Sequence, residues 1–436
     1  MRSYRPYIEH LNKLIDTVVD SPVDARKVRS VVSALNGQAS SALRQLVSRE
    51  QLRRDGVFFS SHKLARLACQ TLGKTLTSQS RVIDPACGSG DLLLACLHHM
   101  PIKKTLDATL KAWGQAVSGR DIHGEFVHAS RFRLALTALH SHSYPDGVDP
   151  RKLRQAFPDV TTQCGLSDVD ALQSATHILT NPPFGLTLAP KSCGWASGKV
   201  NAAALYFDQY VKAARQGTHI IGILPDVLRS GSRYSRWRKV IAEAATVRRV
   251  ELYGQFDAWT DVDVFILEVK KRNGSEQKSD ACRSMDWLTS PSMLDHERVS
   301  ENFDIRVGPV VDYRDPHLGQ WFPYIQSRDL PKWSTIRRID KRRRFSGTVV
   351  LPPFVAIKRT SRPGDEYRAI GTIIASDGPV AVENHLITMS PKDGSLKSCR
   401  RLLNSLRHTK TTEWLDRRIR CRHLTVSALA DLPWMG

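Results

Sequence analysis

Apolar positions recur at three- and four-residue spacing near the start of the chain, at Leu11, Leu14, Ile15, Val18 and Val19, and again at Val28, Val31, Val32 and Leu35 after a Ser-Pro-Val break. That spacing predicts amphipathic helices over residues 1 to about 54, a small N-terminal helical segment. From about 81 to 270 the pattern changes to short apolar runs separated by helix-length segments: Arg81–Asp84, Ala116–Asp121, His177–Thr180, His219–Leu224, Val247–Leu252 and Val262–Val269. Such alternation predicts a largely parallel sheet covered by helices on both faces, an α/β Rossmann-like arrangement. The last two runs lie too close for a crossover helix, and the short link Tyr253–Trp259 makes them an antiparallel hairpin at the sheet edge. A polar stretch, Lys270–Ser279, reads as a linker. Beyond it come the strand candidates Thr348–Leu351, Phe354–Ile357 and Leu386–Met389 and one or two late helices. The expected organisation is a helical segment over 1–54, an α/β domain over 55–275 and a mixed α+β domain over 280–436.

Composition adds a partner class. The 436 residues carry a formal net charge of +21, and between Lys332 and Arg422 there are 21 Lys and Arg against 8 Asp and Glu, a surplus of 13. A surplus of that size points to a polyanion, with Lys341, Arg342, Arg343, Arg344, Lys358, Arg359, Arg362, Arg400, Arg401 and Arg407 as candidate contacts. No stretch approaches the roughly 18 to 20 apolar residues of a bilayer span, and MRSYRPYIEHLNK lacks the apolar core of a secretory signal, so a cytoplasmic protein without membrane contact is expected. The eight cysteines form no C-x-x-C pair, which suggests neither a disulfide framework nor a zinc site.

Two motifs carry candidate chemistry. Arg81-Val82-Ile83-Asp84-Pro85-Ala86-Cys87-Gly88-Ser89-Gly90-Asp91-Leu92 is a strand, a small-residue turn and an apolar helix, in which Gly88 and Gly90 allow close approach of backbone to a ligand. Some thirty residues on, Asp121-Ile122 ends the next strand with a carboxylate, placed to accept from two ribose hydroxyls. No Walker lysine follows the glycines, so a triphosphate is not the expected ligand. Further on, Ile178-Leu179-Thr180-Asn181-Pro182-Pro183-Phe184 sets two prolines straight after an apolar strand, removing two amide donors and leaving carbonyls at the strand's C-terminal end. Asn181 adds a side-chain carbonyl and Phe184 a flat ring, a socket for the amino group and face of a nucleobase.

The pair D-P-A-C-G-S-G and N-P-P-F resembles motifs I and IV of N6-adenine DNA methyltransferases. Asp55-Gly56-Val57-Phe58-Phe59-Ser60-Ser61 is similar to their motif X, with Ser60-Ser61 in place of Thr-Pro, and its position before motif I marks the gamma class of restriction-modification enzymes. Asp168-Val169-Asp170-Ala171-Leu172 resembles motif III, with Asp170, or its rival Asp168, expected near the cofactor's adenine. Phe256 matches the aromatic residue of motif VIII. Val382–Leu386 and Ala430–Trp434 are similar to parts of a target-recognition domain.

The resemblance implies a seven-stranded class I methyltransferase sheet, S-adenosyl-L-methionine as cofactor, double-stranded DNA as partner and, in a restriction-modification or related defence system, a cognate endonuclease or other subunits. It implies cofactor contacts from Phe58, Ser60, Asp84, Pro85, Ala86, Cys87, Gly88, Gly90, Asp91, Asp121, Ile122, Asp170, Ala171 and Asn181. At the reacting end, Asn181 and the Pro182 carbonyl would accept from the adenine amino group, while Phe184 and Phe256, beside Pro183, stack on the extruded base. No metal is required. Two other enzymes fit parts of the pattern. One is an rRNA or tRNA base or protein-glutamine methyltransferase with the same N-P-P-F socket, and the other a nuclease imitated by Asp263 with Glu268-Val269-Lys270, which reads more simply as an edge strand.

Overall fold

The computed structural model describes residues 2–20, 22–257, 259–272, 287 and 297–434. The chain divides into one unit of Met1–Leu228 with Ser235–Met285 and a second of Arg229–Tyr234 with Asp286–Gly436. The expected boundary between 275 and 280 lies outside the described residues.

In the first unit, seven strands form one sheet: β1 (Val82–Asp84), β2 (Val117–Asp121), β3 (Val160–Thr162), β4 (His177–Thr180), β5 (His219–Pro225), β6 (Ala245–Gln255) and β7 (Asp263–Lys271). Their order is β3-β2-β1-β4-β5-β7-β6, with β1 to β5 mutually parallel and β7 antiparallel to both neighbours. This is the Rossmann-like sheet that the motifs imply, with one strand the apolar pattern does not mark. β3 is only Val-Thr-Thr, and Val160 alone is buried. A second correction concerns β7, which is not an edge strand: Leu224 of β5 and Leu252 of β6 both lie opposite Phe265. Asp263 and Glu268 are five residues apart on β7 and so point to opposite faces, and Glu268 is buried against the Thr71 hydroxyl at 2.8 Å.

The chain order reverses between β1 and β4, so the C-terminal ends of those strands, Asp84 and Thr180-Asn181, flank the crevice where open α/β sheets bind ligands. Helices α1 (Arg5–Val19), α2 (Ala25–Leu35) and α3 (Gln38–Leu46) belong to this unit and do not stand apart as a segment of their own. α1 buries Tyr7, Leu11, Leu14, Ile15 and Val18, one stripe at helical spacing. The helices α4 (Arg49–Asp55), α5 (His62–Cys69), α6 (Asp91–Leu97), α7 (Leu106–Ala116) and α8 (Gly124–Ser141) follow in order.

The second unit holds a five-stranded sheet of β8 (Phe303–Val307), β15 (Leu386–Pro391), β12 (Phe354–Lys358), β13 (Gly371–Ile374) and β10 (Thr335–Ile336), in that order. A three-stranded sheet is ordered β11 (Arg342–Phe345), β9 (Gln320–Ile325), β14 (Ala381–Val382). Val355, Ile357, Ile387 and Met389 pack on the late helix Leu396–Arg407 through Cys399, Leu402 and Leu406. The expected strand Thr348–Leu351 is a single bridge, Val350 to Val380, whereas the basic run before it is a true strand, β11. Among the described residues no helix is long and apolar enough to cross a membrane.

Candidate active site

At the end of β1 the chain turns through Gly88 at φ 51° and Gly90 at φ 86°, both in the left-handed region that glycine enters without strain. Space demands glycine too. A Cβ on Gly88 would stand 2.8 Å from the Phe59 ring, and one on Gly90 2.5 Å from the Ser130 hydroxyl. Asp84, at the foot of this turn, is 2 % exposed and accepts from the Ala86 amide at 3.0 Å. Burial pushes its carboxyl up to about 8, and the charges acting on it, Asp121 and Asp91, are both negative. A buried carboxyl in that setting gains from a cationic guest.

One strand over, Asp121 ends β2 and accepts from the Gly88 amide at 3.0 Å and from the His123 amide at 2.8 Å. Burial raises its pKa against those hydrogen bonds. A cleft opens here, lined by Gly56–Phe59, Pro85, Ala86, Gly88, Asp121, Ile122, Asn181 and Pro183.

Asn181 sits where β4 ends. Its amide nitrogen donates to the Phe58 carbonyl at 3.1 Å and to the Ser60 hydroxyl at 3.0 Å. A carbonyl only accepts, so those bonds fix which end of the amide is which, and they leave Oδ1 buried without a hydrogen-bond partner. The two serines that replace Thr-Pro thus divide the work. Ser60 holds Asn181, while Ser61 caps α5 by accepting from the Leu64 amide at 3.2 Å.

The aromatic residues are arranged differently from expectation. Phe184 and Phe256 touch edge to face at 5.4 Å and 85°, and Phe58 lies 6.4 Å from each ring. Both expected stacking residues are buried, at 9 % and 2 % exposure. A base held between two parallel rings needs them about 7 Å apart, so Phe184 and Phe256 do not form that slot in this conformation. Phe256 rides on the β6–β7 loop, which Asp257 ties to Arg44 of α3 at 2.7 Å.

Three other expectations change. Asp91 pairs with the buried Arg133 at 2.9 Å and so supports the glycine turn from behind. Cys87 is buried, its amide bonded to the Arg120 carbonyl at 2.9 Å, and like Ser60, Asp84 and Gly90 lies outside the cleft lining. Of the motif III candidates, Asp168 caps the helix Val169–Ser174 and is held by Arg120 at 2.6 Å, while Asp170 is exposed on that helix. Neither they nor Ala171 line the cleft, where Gln163, Cys164 and Gly165 stand instead, at the end of β3. Gly165 has no room for a side chain, since a Cβ would fall 2.0 Å from the Pro85 carbonyl. His123 and Tyr206 complete the lining. A Gln-Cys-Gly at a strand end was the available signal for this wall, hidden because β3 shows so little apolar pattern.

In the second unit, Arg342, Arg344, Arg362, Arg400, Arg401 and Arg407 are exposed and Lys358 and Arg359 half-buried. Arg343 is the exception. Its side chain is 2 % exposed and paired with Asp312, which removes it from the candidate polyanion surface. Lys341 is half-occupied, lying over the Tyr324 ring at 5.7 Å and bonded to Gln326.

No curated protein matches the sequence significantly. Among solved structures, the type IIL restriction-modification enzyme MmeI in complex with DNA is 13 % identical, aligned over 94 % of this chain and 69 % of that one at a TM-score of 0.48. The type I restriction-modification methyltransferase subunit from Streptococcus thermophilus is 19 % identical over 57 % and 53 % at 0.34. The modification subunit assigned to a type I restriction enzyme of Vibrio vulnificus YJ016 is 14 % identical over 56 % and 49 % at 0.39, so the alignment spans about half of that protein's length. The family model for N-6 DNA Methylase matches residues 41–282, a span that runs from α3 through all seven strands of the first sheet. With more than half of its 436 residues so matched, the chain belongs to the N-6 DNA Methylase family.

Proposed function

We propose that this protein transfers a methyl group from S-adenosyl-L-methionine to the N6 of an adenine extruded from duplex DNA, as the modification activity of a restriction-modification or related defence system. One observation carries the reading: the side-chain oxygen of Asn181, buried and without a hydrogen-bond partner, at the end of β4. An acceptor so placed calls for a donor from a guest. The adenine amino group supplies one.

The cofactor, when bound, brings a sulfonium methyl that is already electrophilic. The residues present fit it. Gly88 brings backbone to the cleft wall, the buried Asp84 next to the lining residue Pro85 is a carboxyl that an ammonium would stabilise, and Asp121, held by two amides, retains lone pairs for ribose hydroxyls. What this chain must do is make the amino nitrogen nucleophilic, since its lone pair is delocalised into the ring. A hydrogen bond to Asn181 Oδ1, fixed in direction by Phe58 and Ser60, localises that pair, and the adjoining Pro182 carbonyl is the second acceptor. We assign Phe184 and Phe256 to the two faces of the base, which requires them to part from their edge-to-face contact. Support for DNA as the polyanion comes from the family and from the basic surplus of the second unit, which we assign to target recognition.

Asn181→Ala is expected to slow methyl transfer to duplex DNA about 10²- to 10³-fold, the loss typical of one preorganised polar group, while calorimetry finds cofactor affinity nearly unchanged. An equal loss of cofactor binding would refute the role given to Asn181.

A further inference from the structure

Within the second unit, the basic run Lys341–Phe345 is a strand, and strand geometry sorts its arginines. β9 and β11 are antiparallel, with Trp321 opposite Arg344, Phe322 opposite Arg343 and Pro323 opposite Arg342. Directly opposed residues share a face. Phe322, Arg343 and Phe345 therefore point inward, and Phe322 and Phe345 join the small core of Val310, Tyr324 and Ala381. Trp321, Arg342 and Arg344 point outward, Trp321 at 59 % exposure. β14 reaches only Tyr324 and Ile325, so along Gln320–Pro323 the outer face belongs to a two-stranded ribbon.

The inward arginine fastens the preceding loop on the other side of the ribbon. Arg343 pairs with Asp312, donates to the Asp315 carbonyl and lies 5.4 Å over the Tyr324 ring. Asp312 also accepts from the Tyr324 hydroxyl at 2.6 Å and from Gln326 at 2.8 Å, and the Asp315 carboxylate accepts from the Val311 amide at 2.8 Å. Residues 311–315 are thus fastened to the inward-facing side of the ribbon and leave its outer face clear. Outside, Arg344 donates one N–H to the Gly319 carbonyl at 3.0 Å and Arg342 one to the Trp321 carbonyl at 3.2 Å. Each guanidinium is pre-oriented by one of its five donors and keeps the rest.

Phosphates ask only for cations, whereas this face combines two forked donors with an exposed tryptophan. That combination suits the floor of a DNA major groove, which admits a two-stranded ribbon and offers guanine O6 and N7 as paired acceptors and the thymine methyl as an apolar contact. We infer that the outer face of the β9–β11 ribbon reads base edges in the major groove and so selects the sequence around the target adenine. The inference rests on the methyltransferase reading above.

The test uses the full-length protein and the positions of N6-methyladenine in the DNA of a host expressing it, with methylation rates on matched and singly substituted duplexes. Arg344→Ala is expected to lower discrimination at one base pair about 10- to 100-fold, broadening the methylated motif, with unchanged melting temperature and cofactor affinity. Arg344→Lys, which keeps the charge and loses the fork, should broaden it equally and serves if the alanine variant does not fold. An unchanged motif in both variants overturns the inference. So does a uniform loss across all duplexes, which would mark a backbone contact. A wild-type protein that deposits no N6-methyladenine on any DNA removes instead the reading on which the inference rests.

Discussion

Asp84 keeps a proton where an ordinary carboxyl has lost it, and the sign of the consequence follows from linkage. Its ordinary value is 3.8 and burial raises it to about 8, so across that interval the folded protein binds a proton that the unfolded chain has released. The group's contribution to stability is therefore complete below the ordinary value and is lost as pH rises through the folded one. The melting temperature of the ligand-free protein should fall from pH 6 to pH 9, and Asp84→Asn should flatten that part of the curve. Cofactor binding at neutral pH should release a proton as the ammonium stabilises the carboxylate, which calorimetry in buffers of different ionisation enthalpy will detect; no release would separate Asp84 from the ammonium. Residues of this kind were legible because two prolines straight after an apolar strand, downstream of a glycine turn, answer no need of core packing. Asp91 and Asp168 were not, because the arginines that claim them, Arg133 and Arg120, lie 42 and 48 residues away in sequence.

At the scale of elements, α8 ties the N-terminal helices to the glycine turn. Arg133 is fully buried on α8 and donates to the Ala34 and Leu35 carbonyls at the end of α2, to the Ser89 carbonyl within the turn, and to Asp91. Tyr4 adds a second tie through its hydroxyl, bonded to the Ala39 carbonyl at 3.0 Å and to the Ser89 hydroxyl at 3.1 Å. Arg133→Ala should cost about 3–5 kcal/mol, as for a broken buried ion pair, and weaken cofactor binding with no change at the base socket; chemical denaturation and calorimetry measure the two. A stability loss without a binding loss would show that the turn holds its shape unaided. Element types were readable where apolar residues repeat, as in α1 and β4. β3 and β11 were not: the first is too short and polar to show a period, and the second hides its alternation of outward and inward positions under four consecutive basic residues.

At the scale of the whole molecule the net charge of +21 remains the broadest fact. If DNA is the partner, binding neutralises phosphates and frees their counterions, and affinity for any duplex should fall about 10³-fold or more between roughly 50 and 200 mM salt. Fluorescence anisotropy across that range measures the slope. A shallow one would leave the surplus charge unexplained by nucleic acid. Charge pointed to a polyanion from composition alone, but its placement required the fold, which takes Arg343 out of the surface and sets Arg342 and Arg344 beside Trp321.

The fixed amide of Asn181 also bears on what leaves the site. Its nitrogen is committed to Phe58 and Ser60, so the side chain cannot rotate to offer a hydrogen to a guest. A base with oxygen at that edge, such as the hypoxanthine left by deamination of adenine, would set lone pair against lone pair. The product, with one hydrogen of its amino group replaced by methyl, can satisfy one acceptor where adenine satisfied two. On the proposed function, the grip that draws in the unmodified base would loosen once the methyl is transferred, favouring turnover and a single methyl per adenine.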